Sequence, residues 1–137
     1  MQPPKSNSKP KPEALAMIIC DTVMDDRKTN KKILVGTFNN ITAKIFPAMH
    51  QEMHIFIVLT GGHGSYEGML RCIHAKSNKP IMELPGRIEV QSPLAVIEID
   101  FALKHLAFPE DGNYVFELCC DNEIIKARKF MVTKQGA

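Results

Sequence analysis

At 137 residues the chain is the size of one domain. Its 45% hydrophobic and 23% charged residues match an ordinary soluble globular protein, and its net charge of +2 gives no bulk electrostatic case for nucleic acid. No run approaches the ~18 apolar residues of a membrane span.

Residues 1–12 hold prolines, lysines (Lys5, Lys9, Lys11) and serines but no large apolar residue after Met1, which predicts a flexible tail ahead of a domain over 13–134. The apolar run 14–20 ends at Asp21, is too short for a signal core and lacks a small-residue cleavage pattern. The expectation is therefore a cytoplasmic protein with Cys20, Cys72, Cys119 and Cys120 as free thiols.

A first strand is predicted over 15–23, apolar on both parities and hence central or covered on both sides. The polar turn 25–30 leads to a hairpin partner over 32–38, and a short strand over 41–46 stops at Pro47. A loop over 47–52 precedes the most apolar strand, 53–60. Gly61, Gly62, His63 and Gly64 form a turn permissive of positive φ, read as a hairpin tip. Residues 65–74 pair back, 80–84 form an edge segment between prolines, and 87–91 alternate as a further strand. Residues 96–103 alternate cleanly, and 103–106 suggest one helical turn.

The last stretch is the clearest. Tyr114, Phe116, Leu118 and Cys120 alternate with Val115, Glu117 and Cys119, the period of a strand with one buried face. Residues 121–123 turn the chain. In the final strand Ile125 and Ala127 share one parity but Phe130 and Val132 the other, which predicts a β-bulge near Arg128 and Lys129. The sum is an all-β, two-sheet antiparallel β-sandwich, with a small barrel as the alternative.

Asp111-Gly112-x-Tyr114 resembles the corner before the penultimate strand of immunoglobulin-like domains, where a tyrosine hydroxyl returns to upstream backbone. More widely, residues 15–23 with Cys20 and Asp21, then Gly36-x-Phe38-x-x-Ile41, then Phe46-Pro47 and the Tyr114 corner resemble a family of small bacterial single-domain proteins of unknown function with an immunoglobulin-like β-sandwich. The resemblance implies the fold and a bacterial source. It implies no activity, cofactor or site residue.

The residues themselves give no catalytic, cofactor-binding or metal-ligating set. His50 and His54 are spaced i,i+4, which converges only on a helix. Cys72 and His74 share a strand face, but a third and fourth ligand would have to come from neighbouring strands. Cys119 and Cys120 face opposite ways on a strand, Cys120 toward the core and Cys119 outward or into a partner. The run 61–64 lacks the Lys and Ser/Thr of a P-loop. Asp25-Asp26 and Glu110-Asp111 match no calcium loop and read as solvated turns. Lys28, Lys31 and Lys32, and Lys126, Arg128 and Lys129, lack the interleaved aromatics of a nucleic-acid surface. The function expected is a non-catalytic protein-binding or assembly module. The alternative is a small ligand-binding protein or enzyme with a site near His63. Apolar residues on both parities of 15–19 and 55–59 predict a homodimer, unless 46–53 and 103–108 fold as loops over the sheets.

Overall fold

The computed structural model describes residues 9–136. Among them the regular elements are strands: β1 (Glu13–Asp25), β2 (Lys32–Thr37), β3 (Asn40–Ala43), β4 (Ala48–Thr60), β5 (Gly64–His74), β6 (Lys79–Val90), β7 (Val96–Phe108), β8 (Gly112–Cys120) and β9 (Glu123–Lys134). They form a four-stranded sheet, β2-β1-β4-β7, and a five-stranded sheet, β3-β9-β8-β5-β6. Every pair is antiparallel except β3 with β9, which run parallel. One sheet curls toward a half-barrel, so the molecule is an all-β sandwich bordering on a small barrel.

The core is the interleaving of the two inner faces. Met17 and Ile19 of β1, Met53, Ile55, Ile57 and Leu59 of β4 and Phe108 of β7 meet Leu70 and Cys72 of β5, Tyr114, Phe116 and Leu118 of β8, and Phe130 and Val132 of β9. Phe108 bridges the sheets: its ring lies edge-on to Tyr114 at 5.0 Å and stacks on Phe130 at 5.7 Å. Such ring pairs add about 0.5–1.5 kcal/mol beyond the area they bury.

The alternating β8 pattern predicts its inner face correctly: Tyr114, Phe116, Leu118 and Cys120 are all buried. The corner also forms. The Tyr114 hydroxyl donates to the Glu110 carbonyl at 2.5 Å, satisfying a polar group that the core would otherwise strand.

Five expectations need correction. Residues 47–52 are not a loop beyond Pro47, and 103–106 are not a helical turn; β4 and β7 run through both, paired from Ala48 with Phe108 to Thr60 with Val96. The local pattern misleads because the inward parity changes partway along both strands. Met53 and Leu103 face in on one side of the change, Ala48, Leu106 and Phe108 on the other, and His105 sits between at φ 56. The Leu-x-x-Leu spacing of one helical turn is thus a reversal of strand parity.

Residues 80–84 and 87–91 are one edge strand, β6, paired along β5. Pro80 and Pro85 are tolerated there because an edge strand has one side without ladder bonds. The bulge of β9 exists but at Ile125: Leu118 pairs Lys126 and Cys119 pairs Ile124, leaving Ile125 as the extra residue. The glycine run is a crossover and not a hairpin tip, because β4 and β5 belong to different sheets. Gly61 at φ 81 and Gly64 at φ 113 make that turn.

Of the tail predicted over 1–12, residues 1–8 lie outside the described residues. Residues 9–12 run along the domain, and the Tyr66 hydroxyl donates to the Pro10 carbonyl at 2.5 Å.

Candidate functional site

Outward residues on β1 and β4 are set by register. Cys20 pairs His54, Ile18 pairs Phe56 and Ala16 pairs Val58, and partners directly opposite share a face. On β7 Asp100 pairs Phe56, next to His54 on the diagonal. The part of this outer face around Cys20, His54 and Phe56 is not left wet. Cys20 is fully buried, Phe56 is 5% and His54 6% exposed, and Ile18, Ala16 and Val58 are half-buried.

A dense polar cluster on that face is Glu52, His54 and Asp100. His54 Nδ1 lies 2.7 Å from Asp100 Oδ1, and Nε2 lies 2.8 Å from Glu52 Oε2. Two acceptors call for two donors, so the ring is an imidazolium. Burial opposes that charge, but the hydrogen bonds to Glu52 and Asp100 outweigh it and hold the pKa above the ordinary value. Glu52 is pulled down in turn, chiefly by its bond to His54. An imidazolium donating at both nitrogens has no lone pair to act as a base. Burial, with the nearby Asp100 and Asp21 charges, also pushes the Cys20 thiol up, so it stays protonated. The cluster is a clamp between β4 and β7. Composition gave no hint of it, although Glu52-x-His54 on a strand places both on one face; only the register adds Asp100.

The residues weighed from sequence fall out separately. The His63 side chain is exposed, while its backbone is tied down, N–H donating to the Tyr66 hydroxyl at 2.8 Å. Gly62 lies beneath, where an added Cβ would come 3.1 Å from Pro12. His50 packs against the Phe38 ring at 5.4 Å, away from a shared role with His54. Cys72 is in the core, its pKa pushed by burial to about 12. His74 is buried against the Tyr114 ring at 4.7 Å. Cys120 is in the core, its pKa raised by burial to about 11. Cys119 is on the opposite face, buried between its register partners Met69 and Ile124. All four thiols are free.

The loop acids and basic runs are used in structure. Asp26 Oδ1 accepts from the Lys28 and Thr29 amides and closes the β1–β2 turn. Asp25 pairs Lys32 at 2.6 Å. Arg128 donates to the Met17 carbonyl and Asn39 Oδ1, tying β9 to β1. Among the described residues, no group of three or more His, Cys, Asp or Glu is arranged to hold a metal, and no helix is long and apolar enough to cross a membrane.

The sheet edges differ sharply. β3 has four residues, and β6 carries two prolines, features that discourage pairing. β7 faces β6 across shallow grooves lined by residues 86–89 with 97–101 and by 81–84 with 102–107. β2 has a strand on one side only, has no proline, and shows Ile33 at 43% and Val35 at 41% exposure. Met24, the register partner of Ile33, is 52% exposed on the same face.

No curated protein matches the chain. A family model matches residues 15–133, nearly the whole domain, and the chain therefore belongs to that family, a family of unknown function (DUF6941).

Proposed function

We propose that the chain is a non-catalytic protein-binding or assembly module that pairs with a second copy of itself through β2. The observation that carries this reading is the free β2 edge with its apolar stripe of Ile33, Val35 and Met24. An unpaired edge presents a row of backbone donors and acceptors to another strand. The lysine that could guard this edge, Lys32, is held in an ion pair with Asp25. Antiparallel pairing of β2 with its symmetry mate is self-complementary, as a two-fold interface requires. Full burial of such a side chain contributes about 1.5–3 kcal/mol, and these start half-buried, so each adds roughly half of that. Six of them contribute about 4.5–9 kcal/mol, comparable with an association cost of about 4–15 kcal/mol, so the strand-to-strand hydrogen bonds of the paired edge decide the balance and the expected dimer is a modest one.

The Tyr114 corner supports an immunoglobulin-like classification of the sandwich. Four free, buried cysteines support a cytoplasmic, reducing setting, and the bacterial source stays part of the same proposal.

Sedimentation at micromolar concentration tests the assembly. The wild-type chain should form a dimer of 15.4 kDa subunits, and Ile33→Lys with Val35→Lys should leave monomer. A single monomer-sized species, unchanged on raising the wild-type concentration tenfold, would leave the proposal without support.

A further inference from the structure

Lys9 is held by three groups that come from elsewhere in the chain. Its ammonium lies 2.8 Å from Asp121 Oδ2, donates to the Ser65 carbonyl, and sits 4.6 Å from the centroid of the Tyr66 ring. Carboxylate, carbonyl and aromatic face are the chemistry that reads a lysine. The next residue is read through its backbone, the Pro10 carbonyl accepting from the Tyr66 hydroxyl at 2.5 Å. Pro12 is buried against Gly62, where a Cβ would stand only 3.1 Å from its ring. A Cβ on Gly64 would stand 3.3 Å from Lys9 Cδ. The two glycines therefore leave room for the segment.

The receiving side is organised without help from residues 9–12. Asp121, in the β8–β9 turn at φ 49, donates its amide to the Glu67 carbonyl at 2.9 Å and accepts the Glu67 amide on Oδ1 at 2.9 Å. Its other oxygen meets the Lys9 ammonium, and a space of about 300 Å³ stays open beside the segment, bounded by Lys9, Lys11 and Pro12 on one side and by Tyr66, Cys120 and Glu123 on the other. Asp121 and Glu123 make the receiving side acidic, and Lys9 and Lys11 make the occupant basic.

We propose that the surface made by Gly62, Gly64, Ser65, Tyr66 and Asp121 is a peptide site for an extended Lys-Pro-x-Pro segment of a partner protein, and that residues 9–12 occupy it in cis as the competitor of that segment. The proposal does not depend on pairing through β2. Prolines pre-order the extended conformation, so little entropy is lost on binding. A cis occupant at high effective concentration lowers the apparent affinity for the same motif in trans. The site is closed until the segment is released or outcompeted.

The test uses the full chain with Lys9→Glu, which turns attraction to Asp121 into repulsion. A fluorescent Lys-Pro-Lys-Pro-Glu-Ala peptide, titrated by anisotropy, should bind this variant at least tenfold more tightly than wild type. Adding Asp121→Asn should abolish the gain, and a scrambled peptide of the same composition should bind at least tenfold more weakly. Equal binding of wild type and the folded Lys9→Glu variant, or of the scrambled peptide, overturns the proposal. A wild-type dimer dissolved by Lys9→Glu would assign the surface to a second copy and overturn the foreign partner. Should Lys9→Glu fail to fold, the amides of Ser65, Tyr66 and Asp121 in wild-type protein must shift under excess peptide. Unmoved amides overturn the proposal equally.

Discussion

His54 reaches across the outer face of its sheet to Asp100, Nδ1 to Oδ1 at 2.7 Å, from β4 to the edge strand β7. The pair is diagonal, since the direct partner of His54 is Ala102. Glu52, two residues earlier on β4, takes the other ring nitrogen. Other ionisable groups around this cluster are Cys20 on β1, Lys32 on β2 and Lys104 on β7, the last lowering the Glu52 pKa. The result is one cation between two anions on a face otherwise apolar at Ile18, Phe56 and Val58.

The clamp makes stability depend on pH in a stated direction. The folded pKa of His54 is raised, so its contribution is complete below the unfolded value, about 6.5, and is lost as pH rises through the folded value. Urea unfolding followed from the unfolded value upward in pH should show stability falling on the alkaline side. His54→Gln should flatten that slope and cost about 1–3 kcal/mol at the acid end, as hydrogen bonds to charged groups do. An NMR titration placing the His54 midpoint at or below about 6.5 would contradict the clamp.

Tyr114→Phe removes one oxygen and leaves the Glu110 carbonyl without its 2.5 Å donor. The ring stays, so its packing against Phe108 and His74 is retained. The expected loss is about 1–2 kcal/mol in chemical unfolding, with an unchanged denaturant slope. An unchanged midpoint would show that the corner bond contributes nothing net.

Much of this fold is legible in sequence wherever one strand alternates on its own. β8 announces its buried face, and Tyr114 its corner, because both are local. The parity change in β4 and β7 was not legible, since Leu103 and Leu106 have the same spacing in a helical turn as across His105 in a strand. The His54 clamp was also hidden: Glu52 and His54 are neighbours in sequence, but Asp100 joins them only through register. Lys9 read as a solvated tail charge for a similar reason, because Tyr66 and Asp121 are distant in sequence.

The four thiols should be protected while the protein is folded. Burial raises the pKa of each, Cys72 to about 12 and Cys120 to about 11. A thiol-reactive disulfide dye at neutral pH should react slowly with native protein and then with close to four groups in denaturant. Finding two or fewer in denaturant would mean that pairs form. Rapid reaction of one thiol in the native state would mark it as an open site.

Gly36 leaves the space that the Asp21 side chain occupies. The β1–β2 register sets Asp21 opposite Gly36, which adopts φ 70 within the strand. A Cβ there would stand 2.5 Å from Asp21 Oδ2. Gly36→Ala meets two penalties, the left-handed backbone and the contact with Asp21, and should cost about 1–2 kcal/mol from the backbone alone. Asp21→Ala, at an exposed carboxylate, should stay within about 0.5 kcal/mol of wild type. The double variant separates the two penalties. If the carboxylate contact matters, Asp21→Ala recovers at least about 0.5 kcal/mol in the Gly36→Ala background, a coupling measurable by urea unfolding. Strict additivity would leave the backbone angle as the whole cost. A Gly36→Ala chain as stable as wild type would mean that this stretch of β2 readily adopts another conformation, and its edge would then be a poor template for pairing.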